Sequence, residues 1–583
     1  MAAQACRYGA ILTGRGVRFR LWAPAARRVE LIIGAQAHAM RAKPHGEFEL
    51  LLDVPAGTAY RYRIDGASEV PDPASRRQQG DVDGYSVVVD PHYPWRHPDW
   101  AGRPWKEAVI CELHVGCLGG YDGVRERLAS IRAAGYTAIE LMPVGEFPGQ
   151  RNWGYDGVLP YAPESSYGTP DALKALVDAA HGLGLMVLLD VVYNHFGPHG
   201  NYLHAYAPAF FRGDQATPWG AAIDFRRAQV RRFFIDNALM WLEEFRLDGL
   251  RLDAVHAIAS PTFVPRLAQA VRERLPRGRH VHLVLENERN DAGLLRGAAR
   301  AQWNDDGHNA LHVLLTGEHE GYYADYARDP LGRLARVLSE GFAFQGQRDR
   351  HGRRRGQPSG DLAPTSFVLF LQNHDQIGNR ALGERLSALV PPARWRVAMA
   401  LVALSPMVPL FFMGDEWGCA TPFLYFTSHP AELGAKVREG RRAEFAAFSA
   451  YASAQQRARI PDPNARATFE ASVPRVDDAG AAAAARAWFR GLLELRLRVL
   501  VPRLEPCRAL GCERLGEAAL AARWELADGS LWTLAFNLGE RAVAFAAPDG
   551  SRRVHGEDAH GAASGDGLPP GSFGAWHGPG HAA

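Results

Sequence analysis

Over the first hundred residues, apolar and polar positions alternate in short stretches at 17–22, 29–33, 48–54 and 59–64. A period of two is that of a half-buried strand, and turn pairs such as Asp65-Gly66 separate the runs. The pattern predicts a small antiparallel β-sandwich over residues 1–95. The stretch 90–105, rich in Pro and aromatic residues, reads as the linker out of it.

From residue 108 the rhythm changes. Almost continuous apolar runs at 109–113, 138–141, 186–191, 250–253, 282–286, 368–372 and 408–412 alternate with helical patterns such as 169–182 and 228–245. Apolar strands separated by amphipathic helices predict repeated β-α units around a buried parallel sheet. The run 301–303 supplies an eighth strand, so the expected fold class is α/β, a (β/α)8 TIM barrel over 96–485. The long stretch between its third and fourth strands is an excursion. One more helical segment and β-like runs at 518–524 and 531–536 predict a C-terminal β-domain over 486–583. Its last thirty residues, rich in Gly, His, Ala and Pro, are expected to form a poorly ordered tail. The stretch 397–413 is apolar enough to suggest a membrane span, but Pro406 and Pro409 interrupt it and Asp415-Glu416 closes it. A buried helix running into a buried strand fits better.

Composition narrows the function classes. With 583 residues and a formal net charge of +2, nothing draws the whole chain to nucleic acid or to an anionic membrane. The Arg cluster from Arg348 to Arg355 is local and reads as a solvated loop. Six scattered cysteines without a Cys-x-x-Cys pair, and no basic start followed by an apolar run, predict a reduced, cytoplasmic chain. No cofactor is expected, and no paired-His helical motif argues for a metal.

In a TIM barrel, chemistry gathers at the C-terminal ends of the strands. Polar residues punctuate the apolar runs there: Asp190 to His195 after the third, Arg251 and Asp253 at the fourth, Glu286 at the fifth, Gln372 to Asp375 at the seventh. One such carboxylate is as readily a structural ion pair as a functional group. Several converging on one cavity repel one another and need a purpose. Two carboxylates flanking a glycosidic bond are the working parts of most glycosidases. Arg251 shares a strand face with Asp253 and would keep it ionised, whereas Glu286 has no basic residue at a matching offset and fits the proton donor. Spacing alone stops at a barrel hydrolase.

Asp190 to His195, Gly249 to Asp253, Glu286 and Asn373 to Asp375 resemble, in order, the four signature regions of the α-amylase family of glycoside hydrolases. The resemblance implies Asp253 as nucleophile, Glu286 as acid/base and Asp375 as the carboxylate that grips sugar hydroxyls. It places Asp190, His195, Arg251 and His374 around the same sugar, with Tyr155 stacking on the ring. Longer stretches resemble one branch, the maltooligosyltrehalose trehalohydrolases. They are Glu112-Leu113-His114-Val115-Gly116, Asn152 to Val158, Gln302-Trp303-Asn304-Asp305-Asp306, Pro358 to Leu362 leading into Phe370 to Gln376, and Thr421 to Thr427. The implied substrate is maltooligosyltrehalose, cut at the α-1,4 bond beside its terminal trehalose, and the implied functional partner is maltooligosyltrehalose synthase. Asp305, Asp306 and His308 are expected to border the subsites beyond the cleaved bond, although a helix cap is an alternative for the paired aspartates. Cys111 and Gly307-His308-Asn309 depart from that branch's more aromatic pattern. A branching or debranching enzyme would share the triad and differ at the acceptor side. A catalytically dead glucan-binding scaffold would lack a carboxylate, and all three are present.

Overall fold

The computed structural model describes residues 8–217, 220–476, 478–557 and 567–580. Its centre is a closed barrel of eight parallel strands: β1 (Ile110–Leu113), β2 (Ala138–Leu141), β3 (Met186–Val191), β4 (Gly249–Leu252), β5 (His282–Leu285), β6 (Ala301–Trp303), β7 (Phe367–Leu369) and β8 (Val408–Phe412). Closure is direct, with Ile110 level with Leu410 across the β1–β8 seam. Helices α1 (Pro170–Gly182), α2 (Ala228–Glu243), α3 (Asp305–Thr316), α4 (His374–Gly378) and α5 (Pro392–Leu404) connect or follow these strands. Thr169 starts α1 as its cap, accepting the Ala172 N–H with Pro170 at the first helical position, the pairing of residues that opens a helix at least cost.

The period of two within each strand sorts the barrel interior into layers. Ile110, Ala138, Met186, Leu188, Val284, Ala301, Val368 and Leu410 form one dry cluster, with Trp105 closing its base. Two residues further along the same faces stand Glu112, Glu140, Asp190, Arg251 and Glu286. A charged layer therefore rests on an apolar one, and sequence alternation alone aims it at the C-terminal mouth.

Two β-domains flank the barrel. The N-terminal one has a four-stranded sheet facing a second, larger one, with Val17, Phe19, Leu21, Leu31, Tyr60 and Tyr62 buried between them. It meets the barrel excursion where the Trp22 and Phe210 rings approach to 6.1 Å. The excursion itself holds a hairpin, Phe211–Thr217 with Gly220–Ile223. At the other end a five-stranded antiparallel sheet docks on α5, where the Trp532 indole N–H donates to the Leu404 carbonyl at 3.0 Å.

Two expectations change and a third holds. The seventh strand stops at Leu369, so Gln372 to Asp375 lie beyond it: Asn373 ends the chain's extended run by capping α4 in a reciprocal box with Gln376. The Gly-rich end supplies an inner strand of the C-terminal sheet, Ser572–Gly578, paired on both sides. Phe573 and Ala575 are buried on one face of it and Trp576 on the other, which outweighs the composition, while 558–566 and 581–583 lie outside the described residues. The apolar stretch 397–413 is the end of α5 running into β8, as expected, and no described helix is long and apolar enough to cross a membrane.

A buried arginine locks the last helix to the barrel. The helix α6 (Ala479–Leu495) runs into a wider π turn from Arg496 to Leu500. Arg496 is fully buried, and its guanidinium donates to the carbonyls of Ala403, Ser405 and Met407, where α5 ends and β8 begins. Burial pulls its pKa down to about 9. Arg496→Ala leaves those carbonyls buried without donors and is expected to cost about 3–5 kcal/mol, seen as an earlier urea unfolding transition. A midpoint equal to the parent's would mean that other donors reach the carbonyls.

Candidate active site

The site assembles around Arg251, which is fully buried at the level of Val284 on the neighbouring strand. Its Nη1 donates to Asp190 Oδ2 at 2.6 Å and to Asp253 Oδ1 at 2.8 Å, and its Nη2 to Glu286 Oε2 at 2.8 Å. The guanidinium lies over the Trp303 ring at 4.2 Å, a cation–π contact on its remaining face. Burial alone would lower its pKa, but the charges of Asp190 and Glu286 lead a set that holds it well above the ordinary value.

This corrects the expected charge pattern. Arg251 does not serve Asp253 alone, because adjacent parallel strands bring Glu286 within reach of the same guanidinium, a contact that no spacing along one strand reveals. Glu286 Oε2 also accepts the Ala254 N–H at 2.9 Å. Ala254 occupies the left-handed region at φ 39°, an uncommon state for a residue with a Cβ and the kind of strain that gathers at functional sites.

The other groups close around this centre. Asn194 Nδ2 donates to Asp253 Oδ2 at 2.6 Å, and His195 Nε2 lies 2.9 Å from the Tyr155 carbonyl. Burial lowers the His195 pKa. Tyr155 Oη donates to Asp190 Oδ2 at 2.5 Å and meets His374 Nε2 at 2.7 Å, its ring stacked 5.2 Å from that imidazole. Burial pushes Asp190 up to about 7 against the pull of Arg251. Asp375 stands in the first turn of α4, its backbone N–H held by Asn373 and its Oδ1 by Asn379 Nδ2 at 3.2 Å. Burial raises its pKa, while His374 lowers it.

The three acceptor-side residues separate. Asp305 opens α3 with Asn304 as cap, and burial together with the Glu286 charge pushes its carboxyl up to about 8. Asp306 is wholly buried behind the site. It accepts from Asn290 Nδ2 at 2.9 Å and from the Ala343 and Phe344 N–H groups, and pairs with Arg355 at 2.9 Å and with Tyr326 Oη. His308 is buried too, its Nδ1 2.6 Å from the Leu371 carbonyl, and burial lowers its pKa to about 3. The expectation that Asp306 and His308 border a subsite is therefore corrected. A helix turns about 100° per residue, which carries Asp306 round to the protein side; His308, three residues after Asp305 and on nearly the same face, is instead shut in against the Tyr323 and Phe370 rings. Gly307 has its own reason: a Cβ there would stand 2.5 Å from Leu369 Cδ1, so the missing side chain lets α3 approach β7. Cys111 belongs to the outer packing cluster rather than the interior one. In the Arg cluster, Arg348, Arg350, Arg353 and Arg354 are exposed, as a solvated loop requires, whereas Arg355 turns inward to Asp306.

Sequence reasoning missed Asn194, Ala254, Glu112 and Glu140 as parts of this centre. The two glutamates carried a signal, a charge in the middle of an apolar strand two residues past a core position. Among the described residues no group of three or more His, Cys, Asp or Glu could hold a metal ion.

Comparison with known proteins places this geometry. The α-amylase catalytic domain model matches residues 78–216, carbohydrate-binding module 48 (isoamylase N-terminal domain) matches 7–91, and a domain of unknown function (DUF3459) matches 507–582. A malto-oligosyltrehalose trehalohydrolase from Deinococcus radiodurans is 43% identical over 471 residues, 78% of this chain and 76% of that protein. The protein of the same name from Saccharolobus solfataricus is 41% identical over 457 residues, 75% of this chain and 80% of that protein. A crystal structure of a Salmonella typhimurium protein described as of α-amylase type superposes with a TM-score of 0.92 at 41% identity, covering 98% of this chain and 99% of that one. A pullulanase from Anoxybacillus sp. LM18-11 shares the fold at 18% identity and a TM-score of 0.72, over 99% of this chain and 88% of its own.

Removing the central cation gives a test with a definite sign. Asp190 titrates near 7 in the folded chain instead of 3.8, so its contribution to stability is fully present below its unfolded pKa and is lost as pH rises through 7. Arg251→Met strips the counter-charge from Asp190, Asp253 and Glu286, and removes the pull that holds Asp190 down. The melting temperature of the variant should trail the parent's most at pH 8 and least near pH 5. A deficit that does not change with pH would sink this account of the centre.

Proposed function

The chain belongs to the malto-oligosyltrehalose trehalohydrolase family, and from that premise we propose that Asp253, Glu286 and Asp375 carry a retaining cleavage of maltooligosyltrehalose. The bond cut is the α-1,4 link next to the terminal α,α-trehalose, and the products are trehalose and a shortened maltooligosaccharide, a step of trehalose formation. The observation that carries the reaction type is the sharing of one guanidinium by Asp253 and Glu286. Its two terminal nitrogens stand less than a hydrogen-bond length apart, which favours the ~5–5.5 Å carboxylate separation of retaining enzymes over the wider gap that admits a water.

In this mechanism the Asp253 carboxylate attacks the anomeric carbon while Glu286 delivers its proton to the glycosidic oxygen, and trehalose departs. The deprotonated Glu286 then takes a proton from water, whose oxygen displaces the Asp253 carboxylate from the anomeric carbon, and both groups return to their starting states. Glu286 Oε2 is committed to Arg251 and Ala254, leaving Oε1 for the proton transfer. Asn194 and Arg251 orient the nucleophile from opposite oxygens, as a near-attack geometry demands. Asp375, partly exposed, grips sugar hydroxyls, and the Tyr155 ring packs on the pyranose face.

Asp305 sits beside Glu286 and hence on the leaving-group side. Protonated at neutral pH, it can donate as well as accept, which suits a fixed hydroxyl of the terminal trehalose ring. The α,α-1,1 link presents that ring at an angle no α-1,4 chain adopts, and an ordinary chain end would leave the polar group unpaired. The proposal includes a maltooligosyltrehalose synthase as the enzyme that supplies the substrate, and a cytoplasmic setting, supported by five unpaired cysteines among the described residues. A branching enzyme from Nocardia farcinica is 37% identical over only 41% of this chain, and nothing at the acceptor side favours that reading.

Asp253→Asn is nearly isosteric but cannot form the glycosyl ester. It should fold normally, and turnover of maltotriosyltrehalose should fall by at least about 10³-fold. Residual activity above a few per cent would transfer the nucleophile's role elsewhere, with Asp190 next in line. For the parent enzyme, proton NMR of the fresh digest should show the released oligosaccharide first as the α-anomer. The β-anomer would instead mean inversion.

Substrate choice is tested separately. An unpaired buried hydrogen-bonding group costs about 1–3 kcal/mol, so kcat/KM on maltotriosyltrehalose should exceed that on maltopentaose by roughly tenfold to a hundredfold. Chromatography should identify trehalose as the disaccharide product. Equal rates, or a branched product from amylose, would place the chain's activity with the branching enzymes.

A further inference from the structure

We propose that Glu112, which lies outside the four signature segments, is a positioning residue that keeps His374 doubly protonated, making it a second fixed cation of the site beside Arg251. The inference deepens the reading above and rests on it for its catalytic consequence alone.

The argument is a count of hydrogens. Glu112 is buried in the barrel interior on β1. Its Oε2 accepts the backbone N–H of His374 at 3.0 Å, and its Oε1 lies 2.5 Å from His374 Nδ1. A carboxylate at that distance requires a hydrogen on Nδ1. The other ring nitrogen, Nε2, lies 2.7 Å from Tyr155 Oη. That hydroxyl has one hydrogen, already given to Asp190 Oδ2 at 2.5 Å, so it receives the imidazole's hydrogen instead. Nε2 must therefore carry a hydrogen as well, and a ring with both nitrogens protonated is an imidazolium. A proton on Asp190 does not change the count, because Oδ2 already receives Tyr155 and Arg251 and the proton would sit on the unpartnered Oδ1.

The groups facing His374 agree with this assignment. Besides Glu112, Asp375 Oδ1 stands 3.5 Å from Nε2 on the imidazole's own helix, and Asp190 lies behind Tyr155 on β3. Glu140 on β2 is level with Glu112; burial and the Glu112 charge hold its carboxyl well above the ordinary range, so it adds little negative charge. On the positive side stand Arg251 on β4 and His114 just past β1, and burial keeps His114 neutral at about 4. Burial alone would lower the His374 pKa, but the Glu112 and Asp375 charges overcome it and carry the group up to about 9.

The consequence concerns charge balance. Asp190, Asp253, Glu286 and Asp375 converge on one cavity, and Arg251 touches only the first three. The imidazolium supplies Asp375 with its counter-charge, and Glu112 in turn supplies the imidazolium with one it cannot lose to solvent. Without Glu112, His374 reverts to a neutral ring and Asp375 becomes harder to ionise.

The test uses full-length protein labelled with ¹⁵N-histidine, and it needs no substrate. In the parent protein, the His374 signals, assigned by their disappearance in His374→Gln, should show both ring nitrogens protonated from pH 6 to 8, with deprotonation near pH 9. In Glu112→Gln, which keeps an acceptor for the backbone N–H but removes the charge, deprotonation should move down by at least about one unit. If that variant does not fold, Glu112→Asp makes the same comparison, since its shorter side chain draws the carboxylate back from Nδ1. A parent His374 with a single protonated nitrogen at pH 7 overturns the proposal, as does a folded variant whose His374 titrates where the parent's does. In kinetics, the acid limb of kcat/KM should move to higher pH in Glu112→Gln, because Asp375 acts ionised and its activity disappears as pH falls through a pKa now raised. A uniformly slower enzyme with an unshifted limb would reduce Glu112 to packing. The spectra stand even if the preferred substrate proves different, so the two readings fail separately.

Discussion

Everything at the mouth of the barrel depends on one buried guanidinium. Three carboxylates cannot share a water-poor cavity unless something cancels their repulsion, and Arg251 does so with two nitrogens and a flat face. A planar fork matches several carboxylates at once, which a lysine ammonium cannot. The same contacts restrict geometry: Asp253 and Glu286 are each hydrogen-bonded to one end of the same rigid group. Charge neutralisation and geometry are thus one constraint here. It also explains why the site lies where the charged layer of the barrel begins, since Arg251 must reach Asp190 on one neighbouring strand and Glu286 on the other.

Much of this was legible in the sequence, and the limits follow from the physics of each element. The barrel strands announced themselves because burial on both faces demands unbroken apolar runs, and even the three-residue run Ala301–Trp303 falls where expected. Asp190, Asp253, Glu286 and Asp375 could be picked out because each interrupts or ends such a run. Pairings between strands were not legible, so the bridge from Arg251 to Glu286 went unseen. Helical rotation was underused: Asp305 and Asp306 are adjacent in the sequence, yet point in different directions once wound on α3, while His308 is covered by the Tyr323 and Phe370 rings, which no local spacing announces. The segment after Leu369 was read as strand because it is apolar, whereas the Asn373–Gln376 capping box ends the extended run there. Composition misled at the C-terminus, where glycines in Ser572–Gly578 sit between aromatic residues in an inner strand.

The barrel and its two β-domains are held in common with pullulanases at 18% identity, so the scaffold by itself says little about which glucan is cut. What differs among such enzymes is carried by segments between strands. One such segment runs from the start of α3 to β7, and it combines a half-buried carboxyl, Asp305, with an interior built on Asp306. The division of labour within two adjacent residues is instructive. One keeps a carboxyl raised by burial and by the Glu286 charge, and the other spends all its hydrogen-bonding capacity on the protein.

Asp306 joins four stretches that are remote in sequence: Asn290, Tyr326, Ala343 with Phe344, and Arg355. Such a knot makes the acceptor-side segment an all-or-nothing unit of inheritance. A change at any one strand of the knot strands the others, so useful variation should accumulate on the outward side, at the tips, while the knot itself passes intact between descendants. For anyone grafting a new acceptor preference onto this scaffold, the natural piece to exchange is the entire segment together with its buried aspartate, rather than individual residues along it.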